Sequence, residues 1–153
     1  MLAKTHFALT IFFILLFLNS IENKLIFVII ALIATIIPDI DHSDSKLGKH
    51  LVFRPFQFFV KHRGIMHSIL ICLLISLSLA IFLPIISFGF FLGYSVHLLG
   101  DSFTKEGINV FWPLKHRSHG FIKTGGISET LLFYSLIFIN TSILLFYTFK
   151  ILF

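Results

Sequence analysis

Residues 69–100 read ILICLLISLSLAIFLPIISFGFFLGYSVHLLG, and the number of helices they form decides the fold. The run is apolar for 32 residues, too long for a single span of roughly 20, and Pro84 interrupts it near its middle. Two short helices meeting near Leu83-Pro84 fit it best. On the amino-terminal side, residues 7–18 and 25–37 form two more apolar segments, separated by the polar turn Asn19-Ser20-Ile21-Glu22-Asn23-Lys24. Each is shorter than a full span wants, and together they read as a short helical hairpin. Pro38 ends the second of them, and residues 39–50 are polar. Residues 51–61 mix Phe53, Phe56, Phe58 and Phe59 with Arg54, Gln57 and Lys61, which suits a helix lying in a membrane interface and equally a loop with buried aromatics. On the carboxy-terminal side, residues 101–126 form a polar loop with Gly107, Trp112-Pro113, His116, His119 and Gly125-Gly126, and residues 131–149 are long enough to span alone.

Composition sets the solvent. The chain is 57% hydrophobic and 12% charged, with a mean hydropathy of +0.99, so it reads as an integral membrane protein rather than a soluble globule. Its 153 residues make one domain, and the fold expected is all-α: a polytopic membrane bundle of about five short transmembrane helices. A net charge of +5 would suggest nucleic acid in a soluble protein. Here the Lys and Arg residues are confined to a few loops, so they read as topology signals and no nucleic-acid partner is expected. The single Cys72 excludes a disulfide framework and a thiolate zinc site. No small-x-small cleavage pattern follows residues 7–18, so that segment is expected to stay in the mature protein. The 21 Phe residues are lipid-facing and core material.

Five crossings place Lys4, Lys46, Lys49, Arg54, Lys61, Arg63, Lys105, Lys115, Arg117 and Lys123 on one side of the membrane, against Lys24 and Lys150 on the other. By the positive-inside rule the crowded side is cytoplasmic, which predicts a multi-pass protein of the cell inner membrane with its N-terminus in the cytoplasm. The bias largely collapses if residues 69–100 make one tilted span.

The same topology gathers His6, Asp39, Asp41, His42, His62, His67, His97 and Asp101 at one membrane face. Ionisable groups at the ends of apolar helices are expensive and need partners, and a metal ion is the obvious one. His97 and Asp101 are spaced i, i+4 near the end of a helix and can chelate one ion, although a hydrogen-bonded helix-end pair has the same spacing. His62 and His67 flank the start of the third helix; five residues is a poor helical match, so one of them comes from the preceding loop. Asp39 and Asp41 follow Pro38, where a non-helical backbone can aim both carboxylates inward. Imidazole and carboxylate without thiolate favour Zn, Mn, Fe or Ni. Eight candidates exceed the four that one tetrahedral zinc takes, so either two ions bind or some residues orient the ligands. Two ions about 3.5 to 4 Å apart are a standard device for hydrolysing phosphate esters. His6 taken alone is as readily an interfacial residue, His42 and His62 suit an orienting role, and His50, His116 and His119 read most simply as solvated, although His116 or His119 could reach a second metal.

At these residues the sequence resembles the YdjM-type family of inner-membrane proteins, which are read as metal-dependent hydrolases. The resemblance is carried by Thr5-His6, Pro38-Asp39-Ile40-Asp41-His42 and His62-Arg63-Gly64-Ile65-Met66-His67-Ser68. It continues through Gly93-Tyr94-Ser95-Val96-His97-Leu98-Leu99-Gly100-Asp101-Ser102-Phe103-Thr104, Gly107 and Phe111-Trp112-Pro113, in that order along the chain. More remotely, the order His, Pro-Asp, His, His-x-x-x-Asp is similar to the all-helical zinc-dependent phospholipase C and P1-type nuclease fold. That likeness implies a first ion on Asp39, His62 or His67, His97 and Asp101, and a second on His6 with a shared Asp101.

The function expected is therefore a membrane-embedded hydrolase at the cytoplasmic face that uses one or two divalent ions, zinc or manganese, on a phosphoester such as a phospholipid or lipid-linked phosphate. Membrane lipids and an anionic phosphate-containing substrate are its expected partners. His67, His97, Asp39 and Asp101 are the principal expected ligands, with Asp41 as ligand or general base and Arg63 as phosphate clamp. A metal or proton transporter, or a membrane module stapled by a structural metal, are the competing readings.

Overall fold

The structure, a computed structural model, describes residues 1–41, 65–114 and 116–152. Among these residues the regular structure is helical: α1 (Ala3–Phe17), α2 (Lys24–Ile36), α3 (Ile69–Phe82), α4 (Pro84–Ser102) and α5 (Ile127–Leu152). Short 3-10 turns lie at Leu18–Ser20, Pro38–Asp41 and Ile65–His67. The expected hairpin of two helices is α1 and α2. The expected break near Leu83-Pro84 is where α3 ends and α4 begins. Proline suits that place because the first helical residue needs no N–H partner and its fixed φ is already helical. Ser68 caps the start of α3, its Oγ accepting the Ile71 N–H at 3.4 Å.

Two helices begin earlier than hydropathy alone predicts. α1 takes in Thr5 and His6, both buried, because their polar side chains turn into the protein rather than toward the surroundings. α5 starts a turn before residue 131, where Gly125, at φ +72°, reverses the chain and leads into a first turn that contains Glu129. Among the described residues two segments are long and apolar enough to cross a membrane, Ala3–Ser20 and Ile127–Lys150. The interfacial segment expected at residues 51–61 lies outside the described residues.

α4 is the hub of the bundle, packing on α2, α3 and α1, while α5 lies along α1. Small residues make the tightest contact possible. A Cβ added at Gly93 would stand 2.0 Å from the Ala31 carbonyl oxygen, and one at Gly89 would stand 3.0 Å from that of Phe27. This Gly-x-x-x-Gly pair lets the α2 and α4 backbones approach closely, as small residues do at helix–helix contacts. Two apolar clusters flank it: Ala34, Cys72, Phe90, Tyr94, Leu98 and Ile108 on one side, and Ile14, Phe27, Ala31, Leu92 and Val96 on the other. Thr35 donates to the Ala31 carbonyl at 2.7 Å, so the 2.9 Å contact from Thr10 is a donation to Thr35 Oγ1 that ties α1 to α2.

Candidate metal centre

Because successive helices reverse direction, the start of α1, the end of α2, the start of α3, the end of α4 and the start of α5 meet at one end of the bundle. Each brings a side chain. Pro38 stops α2 and the following turn carries Asp39, half-buried. His67 closes the turn ahead of α3 and is wholly buried. That turn is fixed from α4, since the buried Tyr94 hydroxyl donates to the Met66 carbonyl at 2.5 Å. His97 and Asp101 lie one turn apart on the buried face of α4, and Thr104 Oγ1 donates to the Asp101 carbonyl at 2.8 Å. His6 comes from α1 and lies against Gly100, where an added Cβ would stand 3.0 Å from its Nδ1.

His67 Nε2 is 3.8 Å from Asp39 Oδ1 and 3.7 Å from Asp101 Oδ2, and His97 Nε2 is 3.6 Å and 3.7 Å from the same two atoms. These separations are longer than a hydrogen bond. They approach the roughly 3.3 Å between neighbouring ligand atoms on a tetrahedral ion with bonds of about 2.0–2.1 Å. His6 Nε2 stands 3.2 Å from the other oxygen, Asp101 Oδ1, without the angle of a hydrogen bond. Its ring stacks on that of His97 with centroids 4.0 Å apart and planes 10° from parallel. Two groups of donors result, Asp39, His67 and His97 in one and His6, His97 and Asp101 in the other, with candidate ligand atoms within 4.8 Å of one another in each.

Both ring nitrogens of His6 and of His97 are buried with no hydrogen-bond partner among the described residues. Such groups are costly unless something accepts their lone pairs, so the donor set fits a divalent cation. Burial would raise the Asp39 pKa, but the neighbouring His67, His97 and His6 imidazoles outweigh it and hold the carboxyl below its usual range, in the anionic form that a cation needs.

Four of the sequence-predicted ligands, Asp39, His67, His97 and Asp101, thus meet, and His6 joins them through Asp101. The Asp41 backbone continues the turn after Asp39, while its side chain, and all of His42, His62 and Arg63, lie outside what is described. His116 and His119 are exposed and belong to neither group. Three features escape motif reading. The Met1 amine lies 2.5 Å from Asp101 Oδ1. Buried Glu129 accepts the Leu2 and Gly125 N–H groups, each at 2.6 Å, which pins the start of α1 to the start of α5. Tyr94, inside an apolar helix, sets the height of His67. Only the charge of Glu129 just after a Gly-Gly turn gave a signal, and it could not say what the carboxylate binds.

The sequence pattern of the family described as YdjM inner membrane protein matches residues 1–152. The chain belongs to the YdjM family. Within it, inner membrane protein YdjM of Escherichia coli (strain K12) is 35% identical over 96 residues, covering 57% of this chain and 49% of its own length, and that of Shigella flexneri matches equally. YvsG of Bacillus subtilis (strain 168) is 31% identical over 105 residues, 65% of this chain and 66% of YvsG. The chain spans about half the length of the YdjM proteins it matches. No solved structure matches it. The YdjM assignment places the chain in an inner membrane protein family, and the chain's own described residues include a His/Asp group that could hold a metal ion.

Proposed function

We propose that this chain is a multi-pass, metal-dependent hydrolase of the inner membrane, acting on a phosphoester of a lipid or lipid-linked phosphate at the cytoplasmic face. The observation that carries the reading is the meeting of His67 and His97 with the carboxylates of both Asp39 and Asp101, four side chains from three separated segments. A divalent ion, zinc or manganese, would supply Lewis acidity toward a phosphoryl oxygen and acidify water at the centre.

The chain's own residues do the rest. Asp101 turns Oδ2 toward His67 and His97 and Oδ1 toward His6 and the Met1 amine, so its carboxylate faces both donor groups. Asp39 is the most exposed of the donors and therefore the one a substrate meets first. Asp41 as general base and Arg63 as phosphate clamp complete the reading from the sequence. Lys4, Lys105, Arg117 and Lys123 lie at the end of the bundle that carries the centre and Lys24 and Lys150 at the other, which supports a cytoplasmic centre.

A transporter would need polar groups continuing along the helices. The buried residues of α1 pass from His6 and Thr10 to Ile14 and Leu15, which favours a site over a pathway. The test is elemental analysis of detergent-purified protein together with turnover of phospholipid and lipid-phosphate substrates. The expected result is bound zinc or manganese, with both metal and turnover lost in His97→Ala. Metal without turnover would leave a structural staple.

A further inference from the structure

The connection from α4 to α5 contains a hairpin with two unlike ends. At its base Ile108 and Ser118 exchange both backbone hydrogen bonds at 2.9 Å, Ile108 is wholly buried, and the Val110 carbonyl accepts the Ile69 N–H at 2.8 Å. The base is therefore fastened to the end of the bundle that holds the His/Asp centre. At the tip, residues 111–114, Phe111, Trp112 and Leu114 are 57%, 37% and 66% exposed. Three large apolar side chains exposed on one turn, uncovered among the described residues, mark a candidate contact surface.

Charge indicates what covers it. Residues 103–126 contain Lys105, Lys115, Arg117 and Lys123 against the one carboxylate Glu106, which already accepts the Thr124 hydroxyl at 2.7 Å. Lys105, Arg117 and Lys123 are exposed, and so is Phe121. Aromatic rings beside cations match the boundary of an anionic bilayer, where rings settle among headgroups and cations meet lipid phosphates. Position agrees with charge. The Gly126 N–H donates to the Lys123 carbonyl at 2.9 Å, and the chain then enters α5, a segment long and apolar enough to cross a membrane.

We propose that the 111–114 tip is an interfacial anchor that seats in the headgroup layer of the leaflet next to the His/Asp centre, with a preference for anionic phospholipid. The proposal rests on the multi-pass reading above and is independent of the hydrolytic one.

Trp112 is the only tryptophan in the chain, so its emission reports on the tip without a label. The full chain is reconstituted in vesicles of phosphatidylcholine alone or mixed with phosphatidylglycerol, each carrying lipids brominated high or deep on the acyl chains. The same series is run on His97→Ala. The expected result is strong quenching of Trp112 by high bromines, weaker quenching by deep ones, protection from iodide, and a larger effect with phosphatidylglycerol, unchanged in His97→Ala. Phe111→Ser combined with Leu114→Ser is expected to shift the emission to the red and lose most of the bromine quenching while metal content stays the same. Arg117→Gln with Lys123→Gln is expected to remove the phosphatidylglycerol preference.

Red-shifted emission quenched by iodide and not by bromines overturns the anchor. Protection from both quenchers that grows with protein density overturns it in favour of a second copy covering the tip. Equal quenching in the two vesicle types overturns the anionic preference. Phe138→Trp in a Trp112→Phe background separates the failures: if that probe, on the exposed face of α5, is not quenched by deep bromines, the multi-pass reading has failed rather than the anchor alone.

Discussion

α4 and α5 are both apolar helices, yet they are built for different neighbours. α4 buries Gly89, Gly93, Tyr94, His97, Gly100 and Asp101 together with Phe90, Leu92, Val96 and Leu98, mixing small and polar residues with apolar ones against three other helices. α5 turns Leu131, Tyr134, Phe138 and Phe146 outward and touches the bundle along α1, through such contacts as the Asn140 amide on the Ala8 carbonyl at 2.9 Å. The lesson is that, on the multi-pass reading, large apolar side chains by themselves do not tell the inside from the outside. Glycine, threonine, histidine and aspartate do, because close backbone approach and paired polar groups are what protein offers and lipid does not.

The contrast can be broken in five steps of decreasing size. His97→Ala or Asp101→Ala is expected to reduce bound metal to background in protein whose helical circular dichroism is retained; stoichiometric metal surviving both changes would place the centre elsewhere. Next, Gly93→Val forces a Cβ onto the Ala31 carbonyl and is expected to cost on the order of 3 kcal/mol of stability in detergent thermal unfolding. Wild-type stability after Gly93→Val would mean that α2 and α4 do not touch as described. Chelation is expected to lower the thermal midpoint of the wild type and leave that of His97→Ala unmoved, since only a folded site gains from the ion. At the small end, Thr10→Val removes the Thr10–Thr35 bond for about 0.6 kcal/mol. Phe138→Ala on the outer face of α5 is expected to stay within about 0.5 kcal/mol. A Phe138→Ala loss comparable to that of Gly93→Val would show that α5 has a protein neighbour on that side.

Much of this was legible in the sequence, for identifiable reasons. The break at Leu83-Pro84 was readable because proline has one comfortable place at a helix start, and that break set the parity which brings His97 and Asp101 to the end where Asp39 and His67 lie. The i, i+4 spacing of His97 and Asp101 was readable because a helix converts it directly into a shared face. What could not be read was long-range and small. Gly89 and Gly93 look like weak points in a helix until Ala31 is seen beside them. Glu129 looks like an ordinary first-turn acid until its two backbone donors from Leu2 and Gly125 are known. The stacking of His6 on His97 depends on the rotation of α1, which no local pattern encodes.

The brevity of α2 and α3 has a mechanical consequence. Helices of 13 and 14 residues rise only about 20 Å, well short of the roughly 30 Å hydrocarbon thickness of a typical bilayer. On the multi-pass reading, the flank formed by these two helices pinches the membrane, whereas the 26-residue α5 meets it at full depth or leans. A bilayer squeezed on one side of so small a bundle tilts its lipids toward the dip, drawing their phosphates nearer to the level of Asp39.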